Sequence, residues 1–315
     1  MTQDFKHYTV MKQEAVEALQ CESGKIYVDA TLGGGGHSEL ILQNIQPAGK
    51  LISFDVDSDA INFAEKRLEQ YKDNLTIVKN SYTNIKKVLQ ELEISKITGG
   101  IIFDFGASYH QLTAYERGFS FMKEAPLDMR FDMDSEFSAY DVVNSYSEED
   151  LVRIISEYGE ERFTKRIVKN IINYRKIKNI DTTTELAELI KKSVPFSNQK
   201  IHPATRVFQA IRIEVNQELQ NIKNTLNEVL TLLSVGAIIS TISFHSLEDR
   251  LVKQTFKYYS SKCRCKPTDA VCNCKPPMIE LVNKKPIMAS DREIRENPPS
   301  RSAKLRVAKK ITSWE

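Results

Sequence analysis

Four consecutive glycines, Gly33 to Gly36, run into His37 just after a short apolar run, Ile26-Tyr27-Val28-Asp29-Ala30. Glycine lacks a Cβ, so such a run lets backbone amides come close to a bound molecule and lets the chain turn sharply with positive φ. Asp55 stands nineteen residues after Gly36 at the end of a second apolar run, a spacing that suits a carboxylate accepting hydrogen bonds from ribose hydroxyls. A third run ends in Asn80-Ser81-Tyr82, where the aromatic ring could flank an adenine. The fourth delivers Asp104 at the head of Asp104-Phe105-Gly106-Ala107-Ser108-Tyr109-His110-Gln111. Each feature has a plain alternative, because glycines often only make turns and strand-end aspartates often cap helices. Glycine loop, acid, aromatic and second acid following four successive runs in order disfavour chance placement.

Two ligands fit this arrangement, a nicotinamide dinucleotide or S-adenosylmethionine. The dinucleotide pattern requires a third glycine at position 38, which here is Ser38. S-adenosylmethionine has no pyrophosphate to seat on a helix N-terminus, so the missing glycine favours it. A dinucleotide-dependent oxidoreductase stays the enzymatic rival.

A second constellation lies near the C-terminus, where Cys263-Arg-Cys265 and Cys272-Asn-Cys274 form a C-x-C, six-residue gap, C-x-C array flanked by Pro267, Pro276 and Pro277. Four thiolates could bind one structural zinc tetrahedrally and order a loop with little core of its own. C-x-C is a less common ligand spacing than C-x-x-C, and the alternative is four free thiols in a loop.

Basic side chains cluster twice. Positions 162 to 178 hold Arg162, Lys165, Arg166, Lys169, Arg175, Lys176 and Lys178 with no acid among them. From 284 to 310 nine Lys or Arg face Asp291, Glu293 and Glu296, a local excess of six inside a chain of net charge +2. Clustered cations attract phosphate backbones through counterion release, so both tracts are candidate nucleic-acid footprints, against the plain reading of a solvated helix face and a basic tail.

The elements that must position these residues alternate. Runs at Lys25 to Ala30, Leu51 to Val56, Leu75 to Lys79, Gly100 to Phe105 and Ala237 to Phe244 read as strands. Helical spacing fills the gaps, as in Ala60, Ile61, Ala64 and Leu68 with Asp57 or Ser58 to cap them. The pattern implies an α/β fold with a mostly parallel, Rossmann-like sheet. It breaks after the fourth strand. Leu151, Ile154, Ile155, Tyr158, Ile167, Val168, Ile171 and Ile172, with Thr184 to Lys192, keep helical spacing instead, so residues 113–211 read as a mainly helical insertion between core segments 1–112 and 212–315. At 315 residues and 41% apolar side chains the chain is long enough for one domain carrying another. Val229 to Ile242, its longest apolar-leaning stretch, is shorter than the ~18 residues of a membrane span, and no signal-like segment opens the chain. A cytoplasmic protein, monomer or homodimer, with thiols or metal ligands rather than disulfides is therefore expected.

At this point whole motifs match a family. Asp29-Ala-Thr-Leu-Gly-Gly-Gly-Gly-His37, Glu116-Arg-Gly-Phe-Ser-Phe121, Pro126-Leu-Asp-Met-Arg130, Tyr158-Gly-Glu-Glu-Arg-Phe163, His202-Pro-Ala-Thr-Arg206, Phe208-Gln-Ala-Ile-Arg-Ile213, Ser243-Phe-His-Ser-Leu-Glu-Asp-Arg250 and Arg301-Ser-Ala-Lys-Leu-Arg306 resemble the bacterial ribosomal small-subunit RNA cytosine-N4 methyltransferases. The resemblance spans nearly the whole chain. It implies a class I methyltransferase sheet with a helical insertion, S-adenosylmethionine as donor and a cytidine in the decoding region of 16S ribosomal RNA as acceptor. By position it carries cofactor contacts onto Gly35, Gly36, His37, Asp55, Tyr82, Asp104 and Gln111. It does not extend to a metal at the cysteines. Relatives usually have Asp-Leu-Gly-Val-Ser-Ser-Pro-Gln after the fourth strand, whereas this chain has Phe105, Ala107, Tyr109 and His110 in the altered places.

The exocyclic N4 of cytosine is a poor nucleophile because its lone pair is delocalised into the ring. Catalysis must relocalise it by holding the NH₂ between acceptors. The expected catalytic set is Asp104 with a backbone carbonyl from Phe105 to Ser108 as acceptors and Tyr109 stacking on the base. Asp104 serving only the cofactor is the alternative. Arg162, Lys165, Arg166 and Lys169 are the candidates to grip RNA phosphates. His202, Arg206, Arg212 and Asn216, with His245, Glu248, Asp249 and Arg250, read as an internal polar network docking the insertion, ahead of direct RNA contact. A non-enzymatic rival is an RNA-binding assembly factor that kept the fold and lost turnover.

Overall fold

The computed structural model describes residues 9–107, 111, 115–195, 202–265 and 271–314. Five strands form where the apolar runs predicted them: β1 (Ile26–Asp29), β2 (Lys50–Asp55), β3 (Leu75–Lys79), β4 (Gly100–Asp104) and β5 (Ile238–Ser243). Three more close the sheet, β6 (Ile279–Leu281), β7 (Ile287–Met288) and β8 (Lys304–Lys310). The order is β3-β2-β1-β4-β5-β8-β6, with β7 also on β8. Strands β1 to β5 pair in parallel, with Val28 opposite both Ile52 and Ile101, and β8 runs antiparallel to β5 with Ala308 opposite Ile239. Strand order reverses between β1 and β4, the switch point where open α/β sheets leave a crevice at the carboxyl ends of the strands.

The parallel strands are apolar on both faces because both are covered. Val28, Ile52, Phe54, Ile101, Phe103 and Ile239 face the helices at Ile85–Glu91, Glu218–Leu232 and Ser246–Ser260. Their neighbours in the pleat, Tyr27, Leu51, Ile102 and Ile238, face the helices at Lys12–Glu17, Gly36–Ile45 and Ser58–Leu68. Burial of each such side chain contributes roughly 1.5–3 kcal/mol. The Ser58–Leu68 helix starts as its sequence predicts, with Asp57 accepting from the Asp59 amide at 3.0 Å and Ala60, Ile61, Ala64 and Leu68 turned inward.

Two compact units result, Met1–Gly106 with Leu219–Glu315, and Ala107–Glu218. The second starts at Ala107 rather than 113, because Gly106 turns the chain with φ 98° immediately after β4. It runs to Glu218 rather than 211, because the Ala204–Val215 helix gives Val207, Phe208, Ile211 and Val215 to this unit's own core. That core also takes Leu151, Ile154 and Ile155 from Glu148–Glu157, Ile167, Val168 and Ile171 from Thr164–Arg175, and Leu186 and Ile190 from Thr183–Ser193.

The closing basic tract is not a tail. Its last seven residues are β8, inside the sheet. Arg306 Nε lies 2.7 Å and Lys304 Nζ 3.3 Å from the Asp249 carboxylate, and Lys310 is 1% exposed with its ammonium donating to the Leu230 carbonyl. Three of its nine cations are thus committed to the fold. Among the described residues no helix is long and apolar enough to cross a membrane.

Candidate active site

The crevice is built on carboxylates at the ends of β1, β2 and β4. Asp29 closes β1 and is fully buried. Its Oδ1 accepts the Thr31 amide at 3.1 Å and its Oδ2 the Ser38 hydroxyl at 2.7 Å, while Ser38 Oγ also lies 2.9 Å from Ser53 Oγ on β2. Ser38 is therefore more than an absent glycine. Its hydroxyl links the first turn of the Gly36–Ile45 helix to two strands. Burial pushes the Asp29 carboxyl up to about 6, its hydrogen bonds to Ser38 and Thr31 oppose this, and the charge of Asp55 adds to it.

The glycine loop folds back on β2. The Leu32 amide donates to the Phe54 carbonyl at 2.8 Å and the Gly33 amide to Asp55 Oδ2 at 2.8 Å. Gly33 and Gly35 adopt φ of 48° and 75°, and Gly35 precedes the helix as its N-cap. Arg67 fixes the crest, donating to the Gly34 carbonyl at 3.0 Å while its other nitrogen holds Glu39 at 2.8 Å. Gly35 and Gly36 also have packing reasons to be glycine. A Cβ on Gly35 would sit 3.2 Å from Leu68 Cδ1, and one on Gly36 only 1.8 Å from Thr9 Oγ1.

Asp55 accepts the Gly33 amide on one oxygen and the Asp57 amide, at 2.9 Å, on the other. An ionised carboxylate has about four lone-pair sites, so each oxygen keeps one for a ribose hydroxyl. Burial pushes this group up to about 6 as well. Tyr82, just past β3, stands edge-on to Phe103 and Phe105, whose rings stack at 5.3 Å. Phe105, one of the altered places, is 2% exposed and is a packing residue in this aromatic group.

Asp104 is held at the end of β4 by its own amide, which donates to Thr31 Oγ1 at 2.7 Å. Its side chain is 24% exposed, yet Oδ1 is shielded from solvent and has no hydrogen-bond partner. Oδ2 lies 4.0 Å from His37 Nδ1. His37 is 3% exposed, and its Nε2 lies 3.1 Å from the Val10 carbonyl, which can only accept, so Nε2 carries the proton. Burial first, then the charges of Asp29, Glu248 and Glu293, hold the Asp104 carboxyl well above the usual carboxylate range. A buried carboxylate oxygen with nothing to accept from is costly, and such groups mark sites that await a partner. Three acids clustered at these strand ends suit a cationic ligand beside Asp104, which would lower its raised pKa.

Gly35, Gly36, His37, Asp55 and Asp104 thus meet around one loop, with Tyr82 on the next strand end. Gln111 belongs to the second unit, where it is buried. Ser108, Tyr109 and His110 lie outside the described residues. The sequence reading missed Asp29, Thr31, Ser38 and Arg67. Of these only Asp29, a strand-end acid, carried a local signal.

In the second unit Arg162, Lys165, Arg166 and Lys169 are all exposed, the last three on the side of the Thr164–Arg175 helix opposite Ile167, Val168 and Ile171 and Arg162 just before it, and none pairs with an acid among the described residues. Other members of that tract are structural. Arg175 donates to the Val143 and Tyr146 carbonyls, and Lys178 pairs with Glu185 at 2.6 Å. Several of the residues read as a docking network have partners within their own unit. Arg212 holds Glu218 at 2.8 Å, Asn216 bridges the Met129 carbonyl and the Phe131 amide, the His202 ring stacks on Phe121, and Asp249 serves β8. His245 caps the Ser246–Ser260 helix together with Glu248.

The four C-terminal cysteines come together. Cys265 and Cys274 Sγ are 3.4 Å apart, Cys263 and Cys272 Sγ 3.7 Å, and all four lie within 4.8 Å of one another. Thiol–thiol hydrogen bonding, that to Cys274 first, pushes Cys265 up to about 12.

The sequence model of the MraW methylase family matches residues 4–311. The ribosomal RNA small subunit methyltransferase H of Clostridium botulinum (strain Loch Maree / Type A3) is 48% identical over 310 residues, covering 98% of this chain and all of the relative. That of Caldicellulosiruptor bescii is 51% identical over 308 residues, with the same coverage. With the family model matched over residues 4–311 and relatives 48% and 51% identical from end to end, the chain belongs to the MraW methylase family.

Proposed function

We propose that the protein transfers a methyl group from S-adenosylmethionine to the exocyclic N4 of a cytidine in the decoding region of 16S ribosomal RNA. The observation that carries this reading is the orphaned Asp104 carboxylate beside the glycine loop. The names of the relatives, which are small-subunit RNA methyltransferases, support the substrate class. The crevice residues fit the donor. Asp55 keeps acceptor sites for a ribose, the Gly33–Gly36 turn allows close backbone approach, and the acidic surroundings suit a sulfonium and an ammonium group. Gly35, Gly36, His37, Asp55, Tyr82 and Asp104 would hold it. Bound there, S-adenosylmethionine supplies an electrophilic methyl group.

The chain's own residues then orient the base and take its proton. Asp104 Oδ1 accepts one amino hydrogen and a backbone carbonyl between Phe105 and Ser108 the other, which draws the N4 lone pair out of the ring. Tyr109 stacks on the base. Asp104 must be ionised to do this, and a cation alongside it lowers its raised pKa, so its readiness is coupled to donor binding. Arg162, Lys165, Arg166 and Lys169 grip flanking phosphates and help meet the few kcal/mol needed to unstack the target.

Asp104→Asn tests the assignment with two readouts. S-adenosylmethionine affinity should stay within a few fold, while methyl transfer should fall about 10²-fold or more. Normal binding with a wild-type rate would rule out a catalytic Asp104, whereas weakened binding with a wild-type rate at saturating donor would leave it a cofactor ligand only.

A further inference from the structure

We propose that Cys263, Cys265, Cys272 and Cys274 hold one zinc ion in a tetrahedral all-thiolate site. In such a site Zn–S bonds of about 2.3 Å place the sulfurs about 3.8 Å apart along each tetrahedral edge. The nearest pairs here, at 3.4 and 3.7 Å, approach that edge, and the whole quartet fits within 4.8 Å. A disulfide would need about 2.05 Å. Each close pair joins one C-x-C arm to the other, so a single ion would tie the two arms together.

The surrounding residues are built to support such a site. None of the described residues between 261 and 277 is buried, so this loop has no apolar core to fix its shape. It is shaped by polar contacts centred on Arg264. The Arg264 amide donates to Cys274 Sγ at 3.0 Å, the outer hydrogen bond that metal-bound thiolates commonly accept. Its guanidinium lies over the rings of Trp314, at 4.7 Å, and Tyr258, at 5.5 Å, and donates to the Ser261 and Lys275 carbonyls. Trp314 in turn donates to the Pro276 carbonyl at 2.8 Å. Binding would release the four thiol protons to solvent and leave a site of net charge −2, which Lys262, Arg264 and Lys275 around it offset. Four thiolates with no oxygen or nitrogen donor select zinc or iron–sulfur over magnesium or calcium. The ion's role is structural, locking the arms that lead from the Ser246–Ser260 helix into β6.

The test uses the full chain purified without chelator. Elemental analysis should find one zinc per chain, and a mercurial should release it as the thiols react. Cobalt soaked into stripped protein should give tetrahedral thiolate bands. Trp314, the chain's sole tryptophan, should change emission on stripping and recover with zinc alone but not with magnesium. Cys272→Ser with Cys274→Ser should abolish zinc while Cys21→Ser, outside the cluster, keeps it. Four titratable cluster thiols with no metal would overturn the proposal, as would cluster disulfides or bound iron with visible iron–sulfur absorption.

Discussion

Replacing Asp29 by Asn should make the protein more stable at neutral and mildly alkaline pH and slightly less stable in acid. Asp29 is fully buried, and its carboxyl is pushed from 3.8 to about 6. Each pKa unit is about 1.4 kcal/mol, so charging this group in the folded state costs roughly 3 kcal/mol more than in the unfolded chain. The sign follows from proton counts. Between about pH 4 and 6 the unfolded carboxyl has lost its proton and the folded one keeps it, so stability falls as pH rises and the loss is complete above the folded pKa. Asn is neutral throughout. Its carbonyl can still accept the Thr31 amide and its NH₂ can donate to Ser38 Oγ, which remains free to donate to Ser53. Allowing about 1 kcal/mol for imperfect replacement of a hydrogen bond, Asp29→Asn should gain about 2 kcal/mol near pH 8. Below about pH 4, where Asp29 is neutral in both states, only that replacement cost remains, so the variant should be about 1 kcal/mol less stable than the wild type. Urea unfolding followed by Trp314 fluorescence at several pH values reads this directly. A variant less stable than wild type near pH 8, or an offset that does not change with pH, would refute the reasoning. Because the Asp29 charge also raises Asp104, the acidic limb of the methylation pH profile should move to lower pH in the same variant.

The loop and the RNA face make separate predictions. Gly35→Ala forces a side chain into φ 75° and within 3.3 Å of both Leu68 and Ala64, so it should cost about 1–2 kcal/mol in chemical denaturation and weaken S-adenosylmethionine binding in calorimetry. Wild-type affinity and stability together would contradict the turn's role. Charge reversal of Lys165 and Arg166 should weaken RNA binding and flatten its log–log salt slope by about two, whereas Arg175→Ala should lower thermal stability and leave that slope unchanged. An unchanged slope in the double variant would remove this helix from the RNA interface.

The elements readable in the sequence were those whose pattern is local. Strands β1 to β5 are continuous apolar runs, and the Ser58–Leu68 helix carries its own cap. β8 was not readable, because Lys304-Leu-Arg-Val-Ala-Lys-Lys310 places four cations in seven residues. It is a strand because Asp249, far away in sequence, neutralises Lys304 and Arg306, and because the Lys310 ammonium reaches the Leu230 carbonyl. β6 and β7 are too short to show a period. At the site, Asp55 and Asp104 stood out as strand-end acids, whereas the part played by Ser38 depends on Ser53 and Asp29 arriving beside it. The basic tract at 162–178 looked uniform, but only packing separates the exposed cations from Arg175. Of the altered segment, Phe105 is explained by its stack on Phe103.

The central claim concerns which atom is methylated. Small ribosomal subunits lacking the modification, incubated with the protein and labelled S-adenosylmethionine and then digested to nucleosides, should carry label in N4-methylcytidine alone, from one position of the decoding region. Label in any other nucleoside, or stoichiometric donor binding with no transfer, would contradict it.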